Sequence, residues 1–253
     1  MGGGAKQWRL PSLVEVRALP RDLPSPLAKV LVNRGIDTAE KLRIFLEPPQ
    51  RLPYDPLRIA GMDLALQRLY RAIKREERVG VFGDFDVDGV TGAAIVAEGL
   101  EPLGVPVIPY LPHRTEEGHG LSVAAIDHLA AQGVSLIITV DCGVTACDEV
   151  AHANRLGIDV IITDHHLAQS GLPDATAIID PMLPGGNYPF QDLCGAGLAF
   201  KLVQGIYEYH GQPWASQLLE LAALGTIADQ VSMVDENRYL VQQGLACLAQ
   251  TQR

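Results

Sequence analysis

Seven aspartate and histidine side chains follow three short apolar stretches of the sequence, each of which is typical of a buried β-strand. These side chains are Asp84, Asp86, Asp88, Asp141, Asp164, His165 and His166. The carboxyl ends of parallel strands meet at one edge of an open sheet, where ligands bind, so we expect these side chains to converge. Grouped carboxylates need counter-charge, because burying them unpaired costs several kcal/mol each. Carboxylates combined with imidazoles favour Mn²⁺ or Mg²⁺ over a thiolate-type zinc site.

The alternating aspartates Asp84, Asp86 and Asp88 predict how the first strand contributes to such a site. In an extended segment, residues two apart face the same side, so several of these carboxylates would reach adjacent metals. The same string resembles the start of an EF-hand loop, but a strand precedes it and Ile95 stands at the twelfth position, where a glutamate is needed. The calcium-loop interpretation therefore fails.

The adjacent histidines His165 and His166 follow the fourth predicted strand. Neighbouring residues on a strand point to opposite faces, so at most one of the pair is expected to bind a metal directly, and the other could be structural. The nearby acids favour metal binding by one of them.

Short apolar stretches alternate with helical patterns through the middle of the chain. The predicted strands are residues 79–83, 105–110, 134–140, 158–163 and 175–179, with helices at 90–103, 123–132 and 145–156. Continuous apolar strands are buried on both faces, which predicts an α/β fold. We expect a parallel five-stranded sheet flanked by helices, with right-handed crossovers.

Both ends of the chain are predicted to be helical. The Pro-rich N-terminal segment contains two short helices at residues 27–35 and 37–46, and the C-terminal part contains helices at 197–210, 214–227 and 235–248. We therefore divide the chain into a small helical appendage, residues 1–60, and one larger domain, residues 61–253.

Composition places the chain among globular proteins. Apolar residues make up 47% of the 253 residues. No apolar run approaches the roughly 20 residues of a membrane span, and the N-terminus has no signal-peptide core, so we expect a cytoplasmic protein. The four cysteines show no C-x-x-C spacing, which disfavours a zinc site or a disulfide framework. A net charge of −10 is unusual for a nucleic-acid-binding surface, which should be basic.

Four segments together resemble the motifs of the DHH phosphoesterases, in the same order. They are VFGDFDVDG at residues 81–89, ITVDCG at 138–143, ITDHH at 162–166 and ALGTIADQV at 223–231. Within this superfamily the sequence is most similar to the RecJ family, bacterial exonucleases that degrade single-stranded DNA in the 5′→3′ direction. The segments PHRTEEGHGL at 112–121 and GAGLAFKL at 195–202 support this resemblance, which covers nearly the entire chain.

The resemblance implies a two-metal phosphodiesterase that uses two divalent cations, Mn²⁺ or Mg²⁺, and acts on the 5′ end of single-stranded DNA. The implied ligands are Asp86 for the first metal, Asp88, His165 and Asp229 for the second, and Asp141 between the two. Asp141 and His166 would be catalytic, with His166 facing the scissile phosphate. Arg114 and His113 would bind the substrate.

Departures from the family pattern modify these expectations. Phe82 stands where some relatives carry a histidine ligand, so Asp84 becomes a further candidate ligand of the first metal. RecJ proteins continue into a DHH-associated domain and an OB-fold, which we expect to be absent from this chain, together with the regions that would bind a single-strand-binding protein and a helicase. A catalytic core without most of its DNA-binding surface would account for the charge of −10.

Two alternative functions stay open at this point. One is a phosphoesterase of the same superfamily that acts on short oligonucleotides or nucleotide bisphosphates. The other is a non-catalytic scaffold, which the complete set of ligand residues disfavours.

Overall fold

The structure, a computed structural model, describes residues 19–20, 22–47, 52, 54–168, 171–183, 186–212 and 216–253. The chain divides into two compact units, Met1–Gln50 and Arg51–Arg253. The sequence prediction placed this boundary at residue 60. The difference arises because Leu52 and Ile59 are buried in the core of the second unit. The predicted helix start at Trp214 lies outside the described residues.

In its described residues, the first unit contains two short helices, α1 (Ser25–Asn33) and α2 (Ala39–Leu46). Its small apolar core consists of Leu19, Ala28, Leu31 and Leu42. Helix α2 is capped by Thr38, whose side chain accepts a hydrogen bond from the backbone N–H of Lys41, so the cap lies one residue after the predicted start at residue 37.

A parallel five-stranded sheet organises the second unit, as predicted. Its strands are β1 (Arg78–Gly83), β2 (Val107–Tyr110), β3 (Val134–Val140), β4 (Asp159–Thr163) and β5 (Ala177–Ile179). Their order in the sheet is β2-β1-β3-β4-β5. The chain therefore extends the sheet on one side of β1 and then continues it on the other. Ligand sites in open α/β sheets lie at such a switch point, beyond the carboxyl ends of the strands.

Helices cover both faces of this sheet. They are α3 (Met62–Arg75), α4 (Val87–Leu100), α5 (Val123–Ala131), α6 (Cys147–Arg155), α7 (Gly195–Tyr209), α8 (Leu218–Ala228) and α9 (Asp235–Leu248). Alternate strand residues enter two separate cores. Val81 and Ile138 join residues of α3, α4, α7 and α8, whereas Phe82 and Ile137 join residues of α5 and α6. None of the helices in the described ranges combines the length and the hydrophobicity of a membrane-spanning segment.

Four of the strands end level with one another. Gly83 pairs with Val140, Val140 with Thr163, and Thr163 with Ile179. The residue that follows each of these strand ends is an aspartate: Asp84, Asp141, Asp164 and Asp180. The register of the sheet thus brings four carboxyl groups to the same edge.

A buried ion pair joins α7 to α9. Lys201 Nζ lies 2.9 Å from Glu236 Oε1, and both side chains are fully buried. The ammonium group also donates to the backbone carbonyl oxygen of Tyr54 at 2.7 Å. The Tyr188 hydroxyl donates to the second carboxylate oxygen of Glu236. Removing one member would therefore leave a buried charge without its partner.

Replacing Lys201 with methionine should lower the free energy of unfolding by about 3–5 kcal/mol, because the Glu236 carboxylate would stay buried without its cation. Chemical denaturation followed by circular dichroism measures this loss. The double variant Lys201→Met/Glu236→Gln should recover most of it, since the glutamine is neutral and still accepts the tyrosine hydrogen bond. Equal losses in the single and double variants would contradict this account.

Candidate metal centre

The four aspartates at the sheet edge are all buried, with exposed fractions of 6% for Asp84, 4% for Asp141, 1% for Asp164 and 1% for Asp180. Asp180 is not among the site residues predicted from the sequence, although it directly follows the fifth predicted strand. Its Oδ1 accepts a hydrogen bond from the backbone N–H of Met182 at 2.7 Å. Burial raises the pKa of Asp180 to about 6.

The turn after β1 corrects the prediction that Asp84, Asp86 and Asp88 alternate along an extended segment. Asp86 is the N-cap of α4 and accepts a hydrogen bond from the backbone N–H of Gly89 at 3.0 Å. The helix therefore begins at Val87, three residues before its predicted start, and Asp88 lies in its first turn. An aspartate that precedes a helical run is a strong capping residue, and this preference outweighs the alternation.

Asp88 is directed into the protein, where it meets the start of α7. Its two carboxylate oxygens accept hydrogen bonds from the backbone N–H groups of Gly195 at 2.6 Å and Ala196 at 2.8 Å. A Cβ atom on Gly195 would lie 2.9 Å from Asp88 Oδ2, and one on Gly225 would lie 2.7 Å from Asp88 Oδ1. Glycine is thus needed on both helices for this close approach.

Within the part of the chain that the structure describes, two groups of side chains offer metal-ligand atoms that all lie within 4.8 Å of one another. One group is Asp141, His165 and His166, and the other is Asp88, His165 and Asp229. His165 Nε2 lies 3.0 Å from Asp141 Oδ1, 3.8 Å from Asp88 Oδ2 and 3.9 Å from Asp229 Oδ2. Neither group includes Asp84 or Asp86.

Asp229 reaches this centre from the end of a helix. It is the C-cap of α8 and its side chain is 25% exposed. The two helices that carry Asp88 and Asp229 pack against each other, so their carboxylates approach the same imidazole.

The two histidines do not diverge as adjacent strand residues would. Strand β4 ends at Thr163, so His165 and His166 follow an irregular backbone. Their ring centroids are 4.5 Å apart, and both belong to the group that includes Asp141. The expectation that they point to opposite faces is therefore wrong.

Asp164 holds this histidine segment in place, a role that sequence reasoning did not assign. Its Oδ1 accepts hydrogen bonds from the backbone N–H of His165 at 2.8 Å and from Nδ1 of His166 at 2.7 Å. Its Oδ2 accepts one from the backbone N–H of Val144 at 2.8 Å. The hydrogen bond to Asp164 raises the pKa of His166 to about 9, although burial opposes this rise.

The centre is short of positive charge. Burial raises the pKa of Asp141 to about 7, and the Asp88 carboxylate adds to this effect while His165 opposes it. Burial also raises the pKa of Asp88. Burial lowers the pKa of His165, but its hydrogen bond with Asp141 and the negative charges of Asp141 and Asp88 together outweigh this and raise the pKa above its ordinary value. A cation bound among these groups would offset the clustered negative charge.

Asp141 also has an unusual backbone. Its φ is +62°, in the left-handed region that only a few per cent of non-glycine residues adopt, aspartate more often than most. Its backbone N–H donates to the carbonyl oxygen of Thr163 at 3.0 Å. Non-glycine residues held in this conformation cluster at functional sites.

The two predicted substrate residues lie on the loop between β2 and α5, residues 111–122. The Arg114 guanidinium carbon is 5.2 Å from the centroid of the Phe85 ring, and His113 Nδ1 is 3.2 Å from Thr115 Oγ1. A cavity of about 440 Å³ lies between this loop and the sheet edge. Among its lining residues are His119, Asp141 and His166, but neither Arg114 nor His113.

Comparison with known proteins shows a close similarity to RecJ. The single-stranded-DNA-specific exonuclease RecJ of Bacillus subtilis (strain 168) is 43% identical over 251 residues, which make up 98% of this chain and 31% of that protein. A crystal structure of exonuclease RecJ bound to manganese is 38% identical, with a TM-score of 0.70, and the match covers 77% of this chain and 49% of the other.

A second crystal structure, of RecJ from Thermus thermophilus in complex with Mn²⁺, matches with a TM-score of 0.73 and 32% identity, over 89% of this chain and 31% of the other. These likenesses confirm the predicted fold. The chain spans less than half the length of each of the three proteins. Residues 78–226 match the model of the DHH family, N-terminal domain, and the chain therefore belongs to the DHH family.

Proposed function

We propose that this chain is the catalytic core of a metal-dependent exonuclease that hydrolyses single-stranded DNA from its 5′ end. The observation that carries the proposal is the pair of ligand groups that share His165 and include three carboxylates, from Asp88, Asp141 and Asp229. The substrate class comes from the similarity to RecJ, which extends over 98% of this chain.

The donor set fits two divalent cations, Mn²⁺ or Mg²⁺, because oxygen ligands predominate and no cysteine belongs to either described group. The residues that would hold them are Asp88, Asp141, His165 and Asp229. Asp86 is exposed at the N-terminus of α4 and stays a predicted ligand of the first metal. Bound cations would lower the pKa of a water molecule and neutralise the phosphate oxygens.

His166 is arranged to meet the scissile phosphate. Its Nδ1 is hydrogen-bonded to Asp164, so its Nε2 is left to contact the substrate. The side chain is also 60% exposed. Nε2 in its protonated form would donate a hydrogen bond to a phosphate oxygen or a proton to the departing oxygen. The Arg114 guanidinium would bind phosphate oxygens through its parallel N–H donors, with His113 beside it.

A phosphoesterase for short oligonucleotides or nucleotide bisphosphates is the second candidate. The cavity of about 440 Å³ has the size of a small-molecule site, and the charge of −10 disfavours a long polyanion. Release of nucleotides from 5′-phosphorylated strands of increasing length, with Mn²⁺, separates the two. Cleavage of long strands supports the exonuclease, whereas activity confined to di- to pentanucleotides supports the alternative.

Two expectations from the sequence accompany the proposal. One is a cytoplasmic location. The other is contact with a single-strand-binding protein and a helicase, which would involve regions other than these 253 residues.

Replacing Asp141 with asparagine, or His165 with alanine, should slow nucleotide release from single-stranded DNA by more than about 100-fold. Residues that only orient metal ligands already contribute 10–100-fold, and these two residues would contact the metal. Asp63→Asn, an exposed change on α3, is the matched control and should keep the original rate. Unchanged activity in both site variants would contradict the metal assignment.

Mn²⁺ should bind more weakly as the pH falls below about 7. The pKa of Asp141 is raised to about 7 and that of His165 is raised as well, so protons increasingly occupy the ligand atoms below this pH and must be released on binding. If one proton is released, the apparent Kd rises about tenfold for each pH unit below this pKa. Titration calorimetry from pH 5.5 to about 8 measures this dependence. An affinity independent of pH over that range would show that these groups do not ligate the metal.

A further inference from the structure

The exposed loop of residues 111–122 is fastened to a buried carboxylate. His119 Nδ1 lies 2.9 Å from Asp84 Oδ2, and the backbone N–H of Gly120 donates to Asp84 Oδ1 at 3.5 Å. The Asp84 side chain is 9% exposed, whereas that of His119 is 74% exposed. Both oxygens of one sheet-edge aspartate therefore contact the loop.

Phe85 provides a second attachment for the same loop. Its ring centroid lies 4.1 Å from that of His119, and the Arg114 guanidinium carbon lies 5.2 Å from the Phe85 centroid. Aromatic and cation–π contacts of this kind are individually modest and depend on the loop being held close. Asp84 and Phe85 thus hold the loop side chains of His119 and Arg114 next to the end of β1.

The anchor is firmly held, and the loop carries two glycines with left-handed backbones. The backbone N–H of Asp84 donates to the Val140 carbonyl oxygen at 3.2 Å, and a Cβ atom on Gly89 would lie 2.4 Å from the Asp84 backbone. Gly118 and Gly120 in the loop have φ angles of +78° and +82°, with open space around them.

Within the loop, Glu117 accepts hydrogen bonds from the Tyr110 hydroxyl and from the backbone N–H of His113, which fix a turn beside the end of β2. The contacts with Asp84 and Phe85 attach the loop to the end of β1 as well.

We propose that Asp84 is a positioning residue, not a metal ligand, and that it anchors the 111–122 loop so that Arg114 and His119 are held beside the cavity lined by Asp141 and His166. Asp84 belongs to neither ligand group in the described part of the chain. The inference rests on the proposed function in one respect: that function identifies a phosphodiester strand as the molecule that the loop would bind.

Limited trypsin digestion tests the anchor without requiring catalysis, because the loop contains a cleavage site after Arg114. In Asp84→Ala, cleavage there should accelerate by at least about fivefold, since local opening controls access to the site. In Asp84→Asn the amide oxygen still accepts a hydrogen bond from the loop. The acceleration of cleavage should therefore be less than half of that in Asp84→Ala. An unchanged cleavage rate in the alanine variant, with an unchanged Tm, would overturn the proposal.

Mn²⁺ binding separates positioning from ligation. Calorimetry should give both Asp84 variants the stoichiometry and affinity of the unmodified chain, whereas Asp88→Asn should bind more weakly. An affinity reduced by about tenfold or more in Asp84→Asn would make Asp84 a ligand and overturn the inference.

Kinetics on single-stranded DNA complete the test. Asp84→Ala should raise KM by about tenfold and leave kcat within about twofold. The displaced loop would bind the DNA less tightly in the ground state and in the transition state alike, so the barrier of the chemical step would stay the same. Asp63→Asn should change neither constant. A fall in kcat at unchanged KM would overturn the proposal. If the unmodified chain cleaves no DNA, the proposed function fails, and the trypsin comparison still decides whether Asp84 is the anchor.

Discussion

Burial of carboxylates at one edge of the sheet is the constraint on which the rest of the structure depends. A carboxylate removed from water must receive hydrogen bonds or a positive charge. Asp164 receives them from the histidine segment and from Val144, and Asp88 receives them from the first N–H groups of α7. Asp141 has His165 as its hydrogen-bonding partner, but burial raises its pKa to about 7 and outweighs the lowering by this hydrogen bond. The remaining shortage of positive charge is what makes this edge a candidate metal centre.

Helix α7 connects the buried carboxylates at the sheet edge with the core. Its N-terminus is fixed by Asp88, and Lys201, further along the same helix, is fixed by Glu236 on α9. The close approach of α7 and α8 to α4 is possible because Gly195 and Gly225 carry no side chain toward Asp88. The candidate ligands therefore lie on packed helices and at strand ends, which would keep them in place before any cation binds.

The sequence allowed the sheet and most of the centre to be predicted, because buried parallel strands are continuously apolar and their ends are followed by polar residues. The path of the chain beyond those ends was harder to predict. The Asp-x-Asp-x-Asp string was interpreted as extended, since alternation and helix capping predict different geometries and capping by Asp86 prevailed. His165 and His166 converge because the strand has already ended. Asp180 could have been predicted by the same rule, because it directly follows the fifth predicted strand, and the register of β5 with β4 brings it level with the other three aspartates.

The left-handed backbone at Asp141 limits which residue types fit this position without strain. A glycine at this position would relieve strain of roughly 1–3 kcal/mol and would be the preferred residue if stability alone were at stake. Aspartate adopts this region more readily than most other side chains, so an aspartate here combines a tolerated backbone with a carboxylate at the sheet edge. Glu76, Gln230 and Asp235 share this left-handed torsion, so what distinguishes Asp141 is the torsion combined with a buried carboxylate beside His165.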